Sequence, residues 1–478
     1  MKQEPAQSQT HWGQFIPLVS VFFFWGFVAA GNDILIPVFK HAFQLTQTQS
    51  QFVSLSFYVA YTVGSVLYLL VSKLIKEDVT KRIGYKNSLV IGLCISAFGT
   101  LLFYPAANLA SFDLMLSGLF IVGLGFSLLQ TTANPLAISL GTANTASQRL
   151  TLAGGVNNFG TTIGPLIIAF AIFGAPSGNN EMSIESVKIP YLVLGAAFVL
   201  VAIFLKFSSI PNHPNPTVIN LEQESTQTSA LQFPQLLMGM AAIFVYVGVE
   251  VSTASNLPGY METTLGYQTK DIAPFISLYW ASLMIGRWTG GVEAFNLQAG
   301  AAKIAKFLVP YAAFSVFLLV NAIAQHDLSH FYVYGAVVLV LIAADIASQG
   351  NPAKMLLIFS LLGISGLVLG MSTSGMLSVY AFTSIGLFCS TLWPCIFTLA
   401  ISGLGKHTGQ GSNYLIMMIM GGGIVSWIQG MVSEKIGIQM SYVVGVACFA
   451  YLALYALLVP GILAKQGIHL DKKAAAGH

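Results

Sequence analysis

The chain has 478 residues, 55% of them hydrophobic and only 8% charged, with a mean hydropathy of +0.75. Ordinary soluble domains carry about 25% charged residues, so the composition excludes a soluble globular protein and implies a polytopic helical membrane protein. The formal net charge of +3 gives no ground for a nucleic-acid partner, because the charges fall between the apolar runs.

A membrane crossing needs about 20 apolar residues, and the sequence predicts about fourteen. The first, 15–39, follows a polar N-terminus without a cleavage-site pattern, so no removable leader is expected. Within it, Trp25–Pro37 reads W-G-F-V-A-A-G-N-D-I-L-I-P and places Asn32 and Asp33 inside the membrane. An aspartate at mid-span costs about 2.5–3.5 kcal/mol, so an intramembrane acid reads as functional. Pro37 has no N–H, so the Asp33 carbonyl loses its helical partner. Broken turns of this kind are tolerated beside protein or water-filled cavities, and transporters use them to hold cations. The bland alternative is an acid near a helix end, snorkelling beside a common kink.

Spans two and three are predicted at 51–72 and 87–105, span four at 114–140. In span four Gln130 and Asn134 share a helix face, and Pro135 frees the carbonyl of Thr131. Amides both donate and accept, which suits the hydroxyls of a sugar, while interhelical bonding is the plainer role. Span five, 150–174, holds Asn157 and Asn158. Adjacent helical residues point in different directions, so one is expected to line a cavity while the other packs. Gly160 and Gly164 in the same span read as a packing seam. Span six covers 190–207, and a polar stretch at 208–233 with several prolines reads as a linker between halves.

The second half predicts spans at 234–261, 272–294, 303–324, 330–348, 355–371, 375–401, 411–433 and 441–464, with a tail at 466–478. Span seven carries Glu250 at mid-membrane, Tyr246 one turn before it, and Asn256 ahead of Pro258. That acid needs either a partner or a proton. Trp280 in span eight and Trp393 in span twelve offer faces for a sugar ring, or plain core packing. Arg287, near the end of span eight, suggests a gating latch against Glu293, or a snorkelling anchor. Lys73, Lys76, Lys81, Arg82 and Lys86, then Arg149, Lys206, Lys303, Lys306, Lys354, Lys406 and the tail lysines all fall on one side of this topology. The positive-inside rule then puts both termini in the cytoplasm.

Trp25…Pro37 lines up with Tyr246…Pro258, and Gln130…Pro135 with Cys389…Pro394. The offset grows between the two pairs by roughly one helical hairpin, which places an insertion at 303–348. The plan is an N-terminal six-helix bundle at 1–207, a cytoplasmic linker at 208–233, and a C-terminal bundle at 234–465 carrying that hairpin. Such weak internal symmetry marks secondary transporters, with the site between the halves. No phosphate loop, H-E-x-x-H, G-x-S-x-G or paired-cysteine metal site is present. ATP-driven transport and enzymatic chemistry are therefore not expected, nor is any cofactor beyond a co-transported ion. The four cysteines read as small apolar fillers.

These motifs identify the chain as similar to the fucose–galactose–glucose symporter family of the major facilitator superfamily. The residues that carry the likeness are N-D-I-L-I-P at Asn32–Pro37, L-Q-T-T-A-N-P at Leu129–Pro135 and N-N-F-G at Asn157–Gly160. In the second half they are Y-V-G-V-E-V at Tyr246–Val251, M-I-G-R-W at Met284–Trp288 and W-P-C-I-F-T-L-A-I at Trp393–Ile401. The resemblance implies an all-α major-facilitator fold and sugar–cation symport by alternating access. Asp33 matches an acid implicated in ion coupling, and Asn157 a sugar-contacting asparagine. Gln130 stands where fucose permeases carry a glutamate, which removes a titratable group and favours glucose or galactose as substrate. Sodium is expected slightly ahead of a proton, bound at Asp33 and Asn32. The sugar is expected between Gln130, Asn134, Asn157 and Asn158 on one side and Glu250, Asn256, Trp280 and Trp393 on the other. A monomer in a bacterial inner membrane, contacting monosaccharide, cation and lipid, completes the expectation. The rivals are a proton-coupled multidrug exporter of the same superfamily, a non-transporting sugar sensor and a passive facilitator.

Overall fold

The computed structural model describes residues 10–77, 79–141, 146–174, 184–212, 229–292 and 298–468. Among the described residues the regular structure is helical, with no strand. The N-terminal half contributes α1 (Trp12–Ala42), α2 (Phe52–Ile75), α3 (Tyr85–Leu101), α4 (Phe112–Ser139), α5 (Ala146–Phe173) and α6 (Lys188–Phe207). The C-terminal half contributes α7 (Pro234–Leu265), α8 (Thr269–Gly291), α9 (Ala299–Ile323), α10 (Tyr334–Ser348), α11 (Pro352–Ser372), α12 (Gly375–Cys389), α13 (Leu392–Ile401), α14 (Thr408–Met417), α15 (Gly421–Ile436) and α16 (Val443–Lys465). Residues 213–228 of the expected linker lie outside the described set.

Among the described residues, twelve helical stretches are long and apolar enough to cross a bilayer, α12 and α13 joining as one and α14 and α15 as another. Two of the expected spans differ. α8, with 23 residues, reaches roughly 35 Å at 1.5 Å per residue, yet it is polar for a span, with Lys270, Asp271, Ser277, Ser282 and Arg287. Every residue from Ile272 to Gly286 is buried, and a helix enclosed by protein has no need of a lipid-soluble surface. α10 has only 15 residues. It pairs antiparallel with α9, tied by Lys306 Nζ to Asp345 Oδ2 at 3.0 Å and by the Tyr311 hydroxyl donating to the Gly335 carbonyl at 3.1 Å. This pair is the hairpin expected at 303–348.

The starts of α1 and α7 share one face of the molecule, here the terminal face. Gln235 at the start of α7 donates to the Ser402 carbonyl and bonds Gln466 near the chain end, and Ser209 donates to the Gly13 carbonyl. The α1–α2 turn and the end of α7 meet at the opposite face, where Lys40 donates to Gln47 and Gln47 to Asn256.

Packing inside the first half rests on a backbone seam between α1 and α5. A Cβ on Gly160 would lie 2.3 Å from the Phe23 carbonyl oxygen, and one on Gly164 2.4 Å from that of Phe27. The two helices touch because these positions have no side chain, the small-residue packing typical of membrane bundles. The prolines differ in effect. α1, α4 and α7 run straight through Pro37, Pro135 and Pro258. Only the repeat partner of the α4 motif is interrupted, at Ser390–Thr391 between α12 and α13, just ahead of Pro394.

Gly160→Leu is expected to force α1 and α5 apart and destabilise the fold by at least the 1–3 kcal/mol, roughly, of an overpacked core. A lowered thermal midpoint of the detergent-solubilised protein, measured by fluorescence-detected size exclusion, checks it.

Candidate functional site

Asp33 lies about 14 Å from the end of α1, at 1.5 Å per residue, and is 3% exposed. Its Oδ2 accepts a hydrogen bond from Trp280 Nε1 at 2.8 Å. Trp280, on α8 of the other half, is 5% exposed. The acid therefore sits between the two halves and faces protein, as a costly intramembrane charge requires. Among the described residues it makes no ion pair. Its neighbour Asn32 is equally buried, and neither amide atom has a protein partner.

The N-terminal wall continues with two tyrosines that sequence reasoning missed. Tyr58 and Tyr61 on α2 are stacked with ring centroids 6.2 Å apart. Tyr61 faces Gln130 and Trp25, and its buried hydroxyl finds no hydrogen-bond partner of good geometry. Gln130 is buried; Asn134 is half-buried one turn closer to the terminal face. The aromatic pair at i and i+3 in F-Y-V-A-Y was the available signal, but in so apolar a span it is indistinguishable from core.

The C-terminal wall centres on Glu250, which is half-buried and accepts from the Tyr246 hydroxyl one turn earlier. The Tyr279 hydroxyl donates to the Glu250 carbonyl at 2.7 Å and packs edge-on against Trp280, with centroids 5.5 Å apart. Trp393 lies 6.1 Å from Tyr246 and stacks on Phe397. Glu250, Trp280 and Trp393 are thus joined through Tyr246 and Tyr279 into one framework. Among the described residues no three His, Cys, Asp or Glu gather to hold a metal ion.

The adjacent asparagines divide as their geometry demands. Asn157 Nδ2 donates to the Phe22 carbonyl at 2.9 Å and fastens α5 to α1. Asn158 turns the other way, and its Oδ1 accepts from Arg287 Nη1 of the opposite half at 3.3 Å. Arg287 is half-buried, lies within electrostatic reach of Glu250, and leaves Nε without a partner. Glu293, its expected latch partner, lies outside the described residues. Asn256 is placed away from the other site residues. Its Oδ1 accepts from Gln47 at 3.1 Å and its Nδ2 donates to the Ser252 carbonyl, so its amide serves the contact between halves at the opposite face.

That contact is extensive. The Thr48 N–H donates to Glu434 at 2.8 Å, Gln51 Nε2 to the Ser255 carbonyl at 3.3 Å, and His41 lies 3.5 Å from Glu262. Toward the terminal face, a bond from Thr62 to the Met417 carbonyl lies beside a small pocket between α2, α4 and α14, lined in part by Ser65, Tyr68, Thr131 and Asn413. The bonds at the opposite face hold the halves together there.

Two helical halves enclosing a buried acid, shut at one face, define a membrane carrier. The family model of the Major Facilitator Superfamily matches residues 18–353, and the chain belongs to that superfamily; it is a transporter, not an enzyme. It is 33% identical over 457 residues to a protein named "Glucose/galactose transporter" from Brucella abortus, covering 94% of this chain and 95% of the relative. It is 27% identical to a protein named "L-fucose-proton symporter" from Escherichia coli, covering 95% and 94%. Among solved structures it is similar to the Major Facilitator Superfamily transporter FucP in the outward conformation, with TM-score 0.61, 24% identity and coverage of 93% and 98%. A bacterial homologue of the human lysosomal transporter Spinster, inward-facing and unoccupied, gives TM-score 0.59 at 14% identity, covering 94% and 97%. These structural likenesses establish the fold.

A Cβ on Gly430 would lie only 3.1 Å from the Thr48 Cα, so the halves approach backbone to backbone at this point. Gly430→Leu is expected to prop that contact open and slow transport. Substrate flux in membrane vesicles checks it, and unaffected flux contradicts the closure described.

Proposed function

We propose that the chain is a secondary active sugar carrier. It takes up an aldohexose such as glucose or galactose together with a cation, sodium ahead of a proton, by alternating access in a bacterial inner membrane. The observation that carries this reading is Asp33, a buried acid at the boundary between halves, held by one neutral donor and, among the described residues, in no ion pair. The names of the relatives support the substrate class. The positive-inside rule assigns the terminal face to the cytoplasm, so the contacts at the opposite face lie on the outer side.

In this reading the cation binds the free oxygen of Asp33 with neutral oxygens around it, and removes a charge that opposes closing the halves over the site. The sugar lies between Gln130, Asn158 and Tyr61 on one wall and Glu250, Trp280 and Trp393 on the other. Amides and tyrosine hydroxyls meet its hydroxyl groups, and the indoles meet its C–H faces. Arg287 holds Asn158 across the boundary on the cytoplasmic side of the sugar and acts as the inner gate. A single chain supplies both walls. At 100 mV one cation contributes about 2.3 kcal/mol, which is roughly fiftyfold accumulation at 1.4 kcal/mol per tenfold.

The proton-coupled reading also has support, in the symporter named from E. coli. Gln130 weighs against it, since an amide carries no proton at neutral pH. Labelled glucose, galactose and fucose uptake into vesicles, driven by a sodium gradient or by a proton gradient alone, separates the two. Accumulation on a proton gradient without sodium rejects sodium coupling. Asp33→Asn is expected to abolish uphill uptake while sugar exchange remains measurable. Full concentrative uptake by that variant removes Asp33 from coupling.

A further inference from the structure

The bond between Asp33 and Trp280 joins the two functions of the site, because the acid belongs to one half and the indole to the other. Asp33 is on α1, Trp280 on α8, and the 2.8 Å bond crosses the boundary with both side chains almost wholly buried. No lysine, arginine or histidine pairs with the acid among the described residues. The indole N–H is therefore the one group seen to offset its charge. The indole is also held in place, packed edge-on against Tyr279, whose hydroxyl is anchored to the Glu250 carbonyl. An N–H and a cation draw on the charge of the same carboxylate and repel one another, so each weakens the other's hold even from different oxygens.

Resting on the symport reading above, we propose that the Trp280 N–H stands in for the coupling cation on Asp33 in the empty carrier. The carboxylate is then never bare when the halves close over an empty site, and the carrier can return outward without cargo. Cation entry from outside displaces the N–H. That release frees the indole edge from α1 as the loaded halves rearrange around the sugar. Trp280 is thus a positioning residue for coupling: it sets how strongly the cation must compete, and it links cation occupancy to the relative placement of the halves.

The test is the full-length protein in proteoliposomes, comparing wild type with Trp280→Phe, which keeps an aromatic ring and deletes the donor. Net galactose uptake and galactose exchange are measured as sodium is varied at fixed pH, and as pH is varied without sodium. Removing a competitor worth a hydrogen bond to a charged group is expected to lower the half-saturating cation concentration by about tenfold or more. Return of the empty carrier slows, so the ratio of net uptake to exchange falls. Exchange bypasses that step. Trp280→Gln, which restores a donor without the ring, is expected to move the half-saturating concentration back toward wild type. In an Asp33→Asn background, Trp280→Phe is expected to leave the ratio of net uptake to exchange where Asp33→Asn alone puts it. An unchanged half-saturating concentration in Trp280→Phe overturns the proposal, as does an equal fall in net uptake and exchange. If Trp280→Phe shows no exchange at all, Trp280→Gln decides the case: a half-saturating concentration lowered as far as loss of the donor predicts overturns it. Wild-type protein whose galactose uptake responds to neither sodium nor pH would overturn the symport reading itself, a result distinct from a coupled wild type that tolerates loss of the donor.

Discussion

A carboxylate in the middle of a bilayer has few places to go. Exposure to lipid costs several kcal/mol, and permanent pairing with a basic residue would cancel the charge that makes it useful. Asp33 takes a third course. It is enclosed by protein at the boundary of the two halves, with one neutral hydrogen bond to an indole from across that boundary. A neutral donor satisfies one carboxylate oxygen without pairing the acid to a basic residue. The rest of the site follows from having to build around such a group.

The two kinds of interface in the molecule have different physics. Within the first half, α1 and α5 meet backbone to backbone through Gly160 and Gly164 and through the Asn157 bond to the Phe22 carbonyl. Close-packed contacts of this kind have no alternative arrangement nearby, so α1 and α5 move as one body. Between the halves, the contact at the face opposite the termini relies on hydrogen bonds such as Thr48 to Glu434, Gln51 to Ser255 and Gln47 to Asn256. Water can replace each of these when the halves part, and the net worth of a typical one is only about 1 kcal/mol. A carrier must open at each end in turn, and weak, water-replaceable contacts make the two states close in free energy.

The internal repeat is a relation of backbone rather than of chemistry. α1 and α7 correspond, yet the first carries its acid facing the other half, and the second carries Glu250 bonded to Tyr246 within its own helix. α4 runs unbroken through Gln130–Pro135, while the matching segment breaks at Ser390–Thr391. The second half also holds α9 and α10, whose ion pair between Lys306 and Asp345 fastens the hairpin to itself. The two halves thus carry unlike groups, a buried acid facing the boundary in one and an aromatic, acidic framework in the other.

Composition and hydropathy alone determined that this chain is a helical membrane protein, because apolar runs of bilayer length have no other stable use. The repeated motifs gave the two-half plan, and the mid-span position of Asp33 in so apolar a run singled it out as a buried acid. The partnerships were beyond the sequence. Nothing in the spacing says that Asp33 meets Trp280, that Asn158 rather than Asn157 faces Arg287, or that Asn256 meets Gln47 across the halves. Nor could it separate Tyr58 and Tyr61 from ordinary core. Those facts depend on how helices far apart in the chain are rotated and brought together. Periodicity fixes which residues share a face, but only the packing of both halves decides what that face meets.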